Sequence, residues 1–133
     1  MAVFKEYVCV NCSAFVRRAN TKGLFCSLKC QMAYQTQERV NSWLRGEISG
    51  NTGKTKQTSP FVRKYLKDTR GSACSECGWD EYHPVDGSSL TELDHIDGNA
   101  DNTTPDNLKI LCPNCHSKTP TFRARNKKSS RKR

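Results

Sequence analysis

The chain has few apolar residues and no long apolar run. Hydrophobic residues make up 35% of its 133 residues, and the mean hydropathy is −0.78. No stretch of 18 apolar residues is present, so the sequence predicts no membrane-spanning helix. The N-terminal MAVFKEYVCV lacks the apolar run of a signal peptide. The same composition indicates a small apolar core, and chains of this kind usually need metal ions or disulfides to stabilise their fold.

Cysteines are abundant by contrast, and their spacing decides between these two means of stabilisation. The eight cysteines form four close pairs: Cys9/Cys12, Cys26/Cys30, Cys74/Cys77 and Cys112/Cys115. Cysteines separated by only two or three residues can bind one tetrahedral zinc ion, whereas a disulfide framework usually spreads its cysteines more widely. We therefore predict two structural zinc ions, one held by the first two pairs and one by the last two, in a reducing cytoplasm. For the second set, an alternative is that one pair recruits a histidine.

The net charge of +9 is unevenly distributed. Residues 80–108 contain eight of the 13 acidic residues and no lysine or arginine, so the rest of the chain is strongly basic. Basic surroundings attract a polyanion such as a nucleic acid, and an acidic patch within them can hold a cation. Most of these acids are expected simply to be solvated, but the pattern favours a cation site that is presented to nucleic acid.

Residues 1–45 are predicted to form a zinc finger followed by a helix. Between the two cysteine pairs, the sequence SAFVRRANTKGLF indicates a hairpin in which residues 15–16 pair with residues 24–25. Ser27 can cap a helix that begins at the second pair and continues to Gly46. A knuckle, a hairpin and a helix around one zinc ion are typical of a treble-clef or ribbon-like finger.

Three further segments follow. Residues 46–58 are polar and contain three glycines, which indicates a flexible linker. Ser59 and Pro60 then begin a helix within a module that extends over residues 59–120. Residues 121–133 are a basic tail, which is expected to be disordered until it binds a nucleic acid.

Side chains able to bind a metal or move a proton are concentrated at residues 92–120, ELDHIDGNADNTTPDNLKILCPNCHSKTP. Neighbouring side chains on a helix diverge by about 100°, so His116 should point away from the zinc if Cys115 binds it. A lone histidine is usually a core or surface residue. Here, however, Asp-His-Ile-Asp-Gly-Asn, Asn-Leu and Leu-Cys-x2-Cys-His occur together within 23 residues, and a chance match is improbable.

This compound pattern resembles the signature of HNH nucleases, also called the ββα-metal or His-Me finger. The resemblance implies a small, zinc-stapled α+β protein whose nuclease core places one divalent metal between two antiparallel strands and a helix. The strands correspond to residues 93–96 and 108–111, and the helix to residues 113–118. The implied activity is metal-dependent hydrolysis of DNA phosphodiester bonds that leaves 5′-phosphate and 3′-hydroxyl ends.

The resemblance also implies a role for each site residue. Asp94 and His116 match the ligands of the catalytic metal, for which Mg²⁺ or Mn²⁺ is expected. His95 matches the general base, and Asn107 matches the residue that ties the loop and orients that base. In a regular strand Asp94 and His95 point to opposite faces, so both can serve one site only if the strand ends or bulges there.

Basic residues outside the acidic window are candidate DNA contacts. The candidates are Arg17, Arg18, Lys22, Lys54, Lys56, Arg63, Lys64, Lys67, Arg123, Arg125, Lys127 and Lys128. The sequences RKYLKDTRGSACSECGW, TPTFRARNK and FCSLKC extend the resemblance to free-standing phage-type HNH homing endonucleases. This implies a homing or nicking enzyme that acts on double-stranded DNA in a phage-infected host, as a monomer or a DNA-induced dimer. The alternative is a zinc-finger protein that binds DNA or RNA and has an inactive HNH shell.

Overall fold

The computed structural model describes residues 2–53 and 57–126, and the chain divides into two compact units between Ser42 and Trp43. Four predicted DNA contacts, Lys54, Lys56, Lys127 and Lys128, lie outside the described residues. Within the described ranges, no helix combines the length and the apolar character needed to cross a membrane. The domain boundaries given above stay predictions.

The first unit contains a hairpin of two antiparallel strands, β1 (Phe4–Val8) and β2 (Phe15–Ala19), with Val8 opposite Phe15. The prediction that residues 15–16 pair with residues 24–25 is therefore wrong. The first cysteine knuckle is itself the turn of the hairpin, because Ser13 N donates to Cys9 O at 2.9 Å and Ser13 adopts a φ of 63°. The knuckle reverses the chain and aligns β2 with the N-terminal strand.

Residues 24 and 25 instead approach the hairpin through single hydrogen bonds. Val10 N donates to Leu24 O at 2.9 Å, and Tyr7 Oη donates to Phe25 O at 2.8 Å. These bonds bring the second cysteine pair beside the first without adding a strand to the sheet.

The helix predicted to begin at the second cysteine pair is confirmed as α1 (Leu28–Leu44). Ser27 Oγ accepts a hydrogen bond from Cys30 N at 3.2 Å, as expected of a residue at the helix N-terminus. Beyond the helix end, Gly46 adopts a φ of 75°, a conformation that glycine reaches without steric cost.

The second unit is built around α2 (Pro60–Arg70), which begins at the predicted residue. The apolar face of α2 forms the core. Ser59 occupies the N-cap position, although its side chain accepts no helix N–H. Val62 and Leu66 are fully buried. The core also contains Trp43, Leu108 and Ile110, so α2 and the end of α1 pack on the same small sheet.

That sheet and the following helix carry the candidate site. Strand β3 (Glu92–His95) pairs antiparallel with β4 (Leu108–Leu111), and α3 (Pro113–Ser117) follows directly. These limits differ from the predicted ones by at most one residue at each end. Short 3-10 turns precede β4 at Pro105–Asn107 and follow the site at Arg123–Arg125.

Two segments differ from the predicted linker and tail. Gly50 O accepts a hydrogen bond from Ser59 N at 2.8 Å, and Asn51 Nδ2 donates to Ala100 O at 2.7 Å. Asn126 Nδ2 donates to Gly98 O at 2.6 Å. Asn51 of the predicted linker and Asn126 of the predicted tail are therefore held against the loop after β3, because their side chains donate to backbone carbonyl groups of that loop.

Candidate nuclease site and metal centres

Two sets of four cysteines can each hold a metal ion. They are Cys9, Cys12, Cys26 and Cys30 in the first unit, and Cys74, Cys77, Cys112 and Cys115 in the second. Within each set the Sγ atoms lie within 4.8 Å of one another, and all eight cysteines are free thiols. Cys77 Sγ lies 3.7 Å from Cys112 Sγ, close to the separation of about 3.8 Å that zinc–sulfur bonds of about 2.3 Å give in a tetrahedron.

The thiols within each set differ in pKa. Burial acts to raise the pKa of Cys74, but hydrogen bonds from the backbone of Cys112, Cys77 and Glu76 outweigh it and lower that pKa to about 6. Cys9 shows the same balance, and its pKa is also about 6. Each set therefore contains a thiol that ionises readily. Each also contains a thiol whose pKa is raised to about 12, Cys26 and Cys115, through hydrogen bonds with other cysteines, so the thiols of a set do not all ionise readily before a metal binds.

Asp94 is the buried carboxylate of the candidate site. It lies on β3 opposite Lys109 of β4 and is only 7% exposed. Its Oδ1 lies 3.4 Å from His116 Nε2, while its buried Oδ2 has no hydrogen-bond partner in the described part of the chain. Burial raises the pKa of Asp94, and the nearby His116 and Lys109 offset this only in part.

Glu92 holds the other side of the His116 ring. Its Oε2 lies 2.5 Å from His116 Nδ1. Glu92 and Asp94 are two residues apart on β3 and thus share one face of the sheet, which is the face that α3 covers. A hydrogen bond from Nδ1–H to Glu92 leaves the Nε2 lone pair directed at Asp94, so the two acidic residues determine which nitrogen of His116 can bind a cation.

His95 lies on the opposite face, at the last position of β3. Its Nε2 lies 2.9 Å from Oγ1 of Thr103, which is buried. Alternation along the strand therefore continues through Asp94 and His95, and β3 ends immediately afterwards. The chain turns at Gly98, where N donates to His95 O at 2.9 Å and φ is 76°.

Asn107 closes the loop between β3 and β4. Its Oδ1 accepts from Asp97 N at 3.0 Å, and its Nδ2 donates to Asp97 Oδ1 and to Asn102 O, each at 2.8 Å. In addition, Asn107 O accepts from Ile96 N at 2.8 Å. The side chain thus ties both ends of the loop together directly beyond His95.

The chain after α3 returns to the site. The Phe122 ring packs edge-on against the His116 ring at a centroid distance of 5.1 Å, and the Arg123 guanidinium lies over the Phe122 ring at 5.0 Å. The predicted DNA contacts Arg123 and Arg125 therefore lie on a turn that is packed beside the candidate ligand His116.

Basic residues of α2 line a groove that reaches Glu92 of the candidate site. A groove in the second unit is lined by Arg63, Lys64 and Lys67 of α2 and by Glu92 of β3. Lys64 also pairs with Asp68 at 2.6 Å. Arg70 has a structural task, because its guanidinium donates to Leu108 O at 2.7 Å and to Pro105 O at 2.8 Å.

In the first unit, the predicted DNA contacts lie around the hairpin. Arg18 and Lys22 line a concave surface together with Gln31 and Gln35 of α1. Arg17 pairs with Glu6 at 3.6 Å, and both side chains are exposed. The structure thus places Arg17 on a solvated surface and Arg18 and Lys22 at a concavity.

Four residues at the site were not predicted: Asn51, Glu92, Thr103 and Phe122. Glu92 could have been found from the sequence, because a residue two positions before Asp94 on a strand must share its face. Asn51 is 52 residues from Thr103 in sequence, and no local pattern indicates such a contact.

Comparison with known proteins found similarity within the second unit. Residues 74–120 match the HNH endonuclease family model. The chain is also 45% identical over 53 residues to the H-N-H endonuclease F-TflIV of Escherichia phage T5, an alignment that covers 40% of this chain and 22% of that protein. No solved structure matches. Residues 74–120 of this chain are therefore similar to an HNH endonuclease domain, and the chain spans less than a quarter of the length of the relative that it matches.

Proposed function

We propose that this chain is an endonuclease that hydrolyses phosphodiester bonds of double-stranded DNA with a divalent metal ion. The observation that carries the proposal is the buried Asp94 carboxylate, whose Oδ2 has no hydrogen-bond partner among the described residues and whose Oδ1 faces His116 Nε2. A buried carboxylate oxygen without a partner costs about 1–3 kcal/mol. Such an arrangement is expected where a cation completes the site.

The donor atoms fit a metal such as Mg²⁺ or Mn²⁺. Asp94 supplies a carboxylate oxygen and His116 an imidazole nitrogen whose lone pair is directed at it. Two ligands bound to one ion at about 2.0–2.2 Å lie roughly 3 Å apart, and the observed separation between Asp94 Oδ1 and His116 Nε2 is 3.4 Å. When bound, the metal would stabilise negative charge on the phosphate and on the leaving oxygen.

His95 is proposed as the general base. A neutral imidazole can accept a proton from the attacking water near pH 7. His95 and Asp94 lie on opposite faces of β3, but β3 ends at His95. A phosphodiester placed at this strand end can therefore be reached from one side by Asp94 and from the other by His95.

Asn107 is proposed to hold the base in place. Its side chain ties Asp97 to Asn102, and its carbonyl accepts from Ile96 N, the residue after His95. With β3, β4 and α3 in this order around the site, we propose a ββα-metal core. The two cysteine sets are proposed to hold structural zinc.

DNA is proposed to run along the basic groove of α2 and past the C-terminal turn. Arg63 and Lys67 line the groove beside Glu92, and Arg123 lies beside His116 through Phe122. These side chains would contact phosphates and position the scissile bond without reading its sequence. Because the described residues form one such site, a single binding event should cut one strand. We propose a phage-type homing or nicking enzyme, in which a double-strand break would need a dimer or two binding events.

Cleavage of supercoiled plasmid tests the proposal. The zinc-loaded chain should convert plasmid to the nicked form only with added Mg²⁺ or Mn²⁺. His95→Ala should lose cleavage by at least about 100-fold, within the contribution of a general base, while its affinity for DNA changes little. Salt-dependent DNA binding without cleavage under any of these conditions would instead favour a zinc-finger binding protein with an inactive HNH shell.

A further inference from the structure

Thr103 lies where the HNH domain meets the segment that precedes it. Trp43 Nε1 donates to Thr103 O at 2.8 Å. A Cβ on Gly50 would lie 2.6 Å from Thr103 Cγ2, so the backbone at residue 50 touches this side chain. Asn51 Oδ1 accepts from Thr103 Oγ1 at 2.5 Å. Three residues from outside the matched domain thus hold one threonine, which in turn contacts His95.

The hydrogen bonds around Thr103 determine which His95 nitrogen carries the proton. Asn51 Nδ2 donates to Ala100 O at 2.7 Å, and this fixes the amide so that its oxygen faces Thr103. Thr103 Oγ1 therefore has two acceptors beside it, Asn51 Oδ1 at 2.5 Å and Ala100 O at 3.2 Å. Neither of them has a proton to give.

A threonine hydroxyl has one proton and can also accept. Because its proton goes to one of the two oxygens, the contact of 2.9 Å with His95 Nε2 must be a hydrogen bond that Nε2–H donates. In the neutral ring the lone pair is then on Nδ1.

We propose that Thr103 and Asn51 are positioning residues that hold His95 as the Nε2–H tautomer, with Nδ1 as the atom that accepts the proton from water. This inference rests on the proposed function for the role of His95 as base. It gives a positioning role to Asn51, which lies in the segment predicted as a linker. Partners that orient metal-binding histidines typically contribute about 10- to 100-fold, and we expect a similar range for a partner that orients a general base.

The first test reads the tautomer and needs no activity. In the zinc-loaded full chain with ¹⁵N-labelled histidine, the neutral His95 ring should show protonated Nε2 and unprotonated Nδ1. Thr103→Val should lose the slowly exchanging Nε2 proton, and Thr103→Ser should keep it. A wild-type ring protonated at Nδ1 would overturn the inference, whether or not the protein cuts DNA.

The second test is plasmid cleavage by the same variants. Thr103→Val should lower kcat about 10- to 100-fold with unchanged KM. Asn51→Ala should lower kcat less, because Ala100 O can still accept the hydroxyl proton of Thr103. Thr103→Ser should keep most of the wild-type rate. Thr69→Val is the control and should keep the wild-type rate, since Thr69 also donates to a backbone carbonyl, that of Tyr65 at 2.7 Å, and does not line the proposed DNA groove. Full activity of Thr103→Val would refute the inference, whereas an inactive wild-type protein with the expected tautomer would refute the proposed function alone.

Discussion

Asp94 and His116 face each other between β3 and α3, with Oδ1 of the aspartate 3.4 Å from Nε2 of the histidine. This distance suits two ligands of one ion, yet the aspartate is buried and its second oxygen is unsatisfied among the described residues. Without a cation the arrangement is unfavourable, and its cost can be measured.

Asp94→Asn should abolish cleavage without weakening the fold. In the zinc-loaded chain without Mg²⁺, the free energy of unfolding should stay equal or rise by about 1 kcal/mol, because a buried, unpaired carboxylate is removed. Urea denaturation measures this change. Asp106→Asn, at an exposed position of the same acidic segment, is the control and should keep both stability and activity. A loss of more than about 1 kcal/mol in Asp94→Asn would indicate that the carboxylate is a structural partner.

Glu92→Ala should weaken binding of the divalent metal about 10- to 100-fold, since a hydrogen-bond partner that orients a ligating histidine typically contributes this much. Glu92→Gln, which keeps an acceptor oxygen for His116 Nδ1–H, should fall between wild type and Glu92→Ala. Titration of Mn²⁺ into the zinc-loaded chain, followed by electron paramagnetic resonance without DNA, measures the affinity directly. Glu81→Ala, at an exposed position in the acidic region, should bind as wild type. Equal affinities in all four proteins would show that Glu92 does not orient a ligand.

Cys74→Ser should reduce bound zinc from two ions per chain to one and unfold the HNH domain. Structural zinc in small folds provides about 10–16 kcal/mol of apparent binding energy. The net stability of a domain is about 5–15 kcal/mol, so loss of the zinc removes most or all of it. Native mass spectrometry counts the zinc, and amide NMR spectra locate the unfolding. Cys12→Ser in the first set should also lose one zinc but should leave the signals of residues 74–120 in place. Unfolding of both units by either variant would contradict independent zinc sites.

Gly50→Ala should destabilise the second unit by roughly 1–3 kcal/mol, as overpacking does in a closely packed region. The added Cβ would meet Thr103 Cγ2 at 2.6 Å and Trp43 Nε1 at 2.7 Å. Gly53→Ala is the matched control, because nothing lies within 4 Å of a Cβ added there, and its stability should change by less than about 0.5 kcal/mol. Thermal unfolding of the two variants side by side gives the difference. Equal melting temperatures would show that residue 50 does not pack against Thr103.

Local patterns predicted much of the fold around the site. The limits of α2, β4 and α3 depend on residues within each element or next to it, such as Pro60 and Gly71. The grouping of the cysteines into two sets followed from their spacing alone. The first hairpin was predicted incorrectly because both candidate pairings of β2 involve nearby apolar residues, and the knuckle at Cys9 decided between them.

The sequence by itself determined which side chains can bind metal or move a proton, because residues 92–120 contain them at the spacing of the HNH signature. Only the tertiary structure decided how they are oriented. His95 faces Thr103, and Thr103 is fixed by Asn51, 52 residues earlier. Phe122 packs on His116 only because the chain after α3 turns back. Such contacts form when distant segments bury polar groups that need partners, and this requirement acts through space and leaves no periodic signal along the chain.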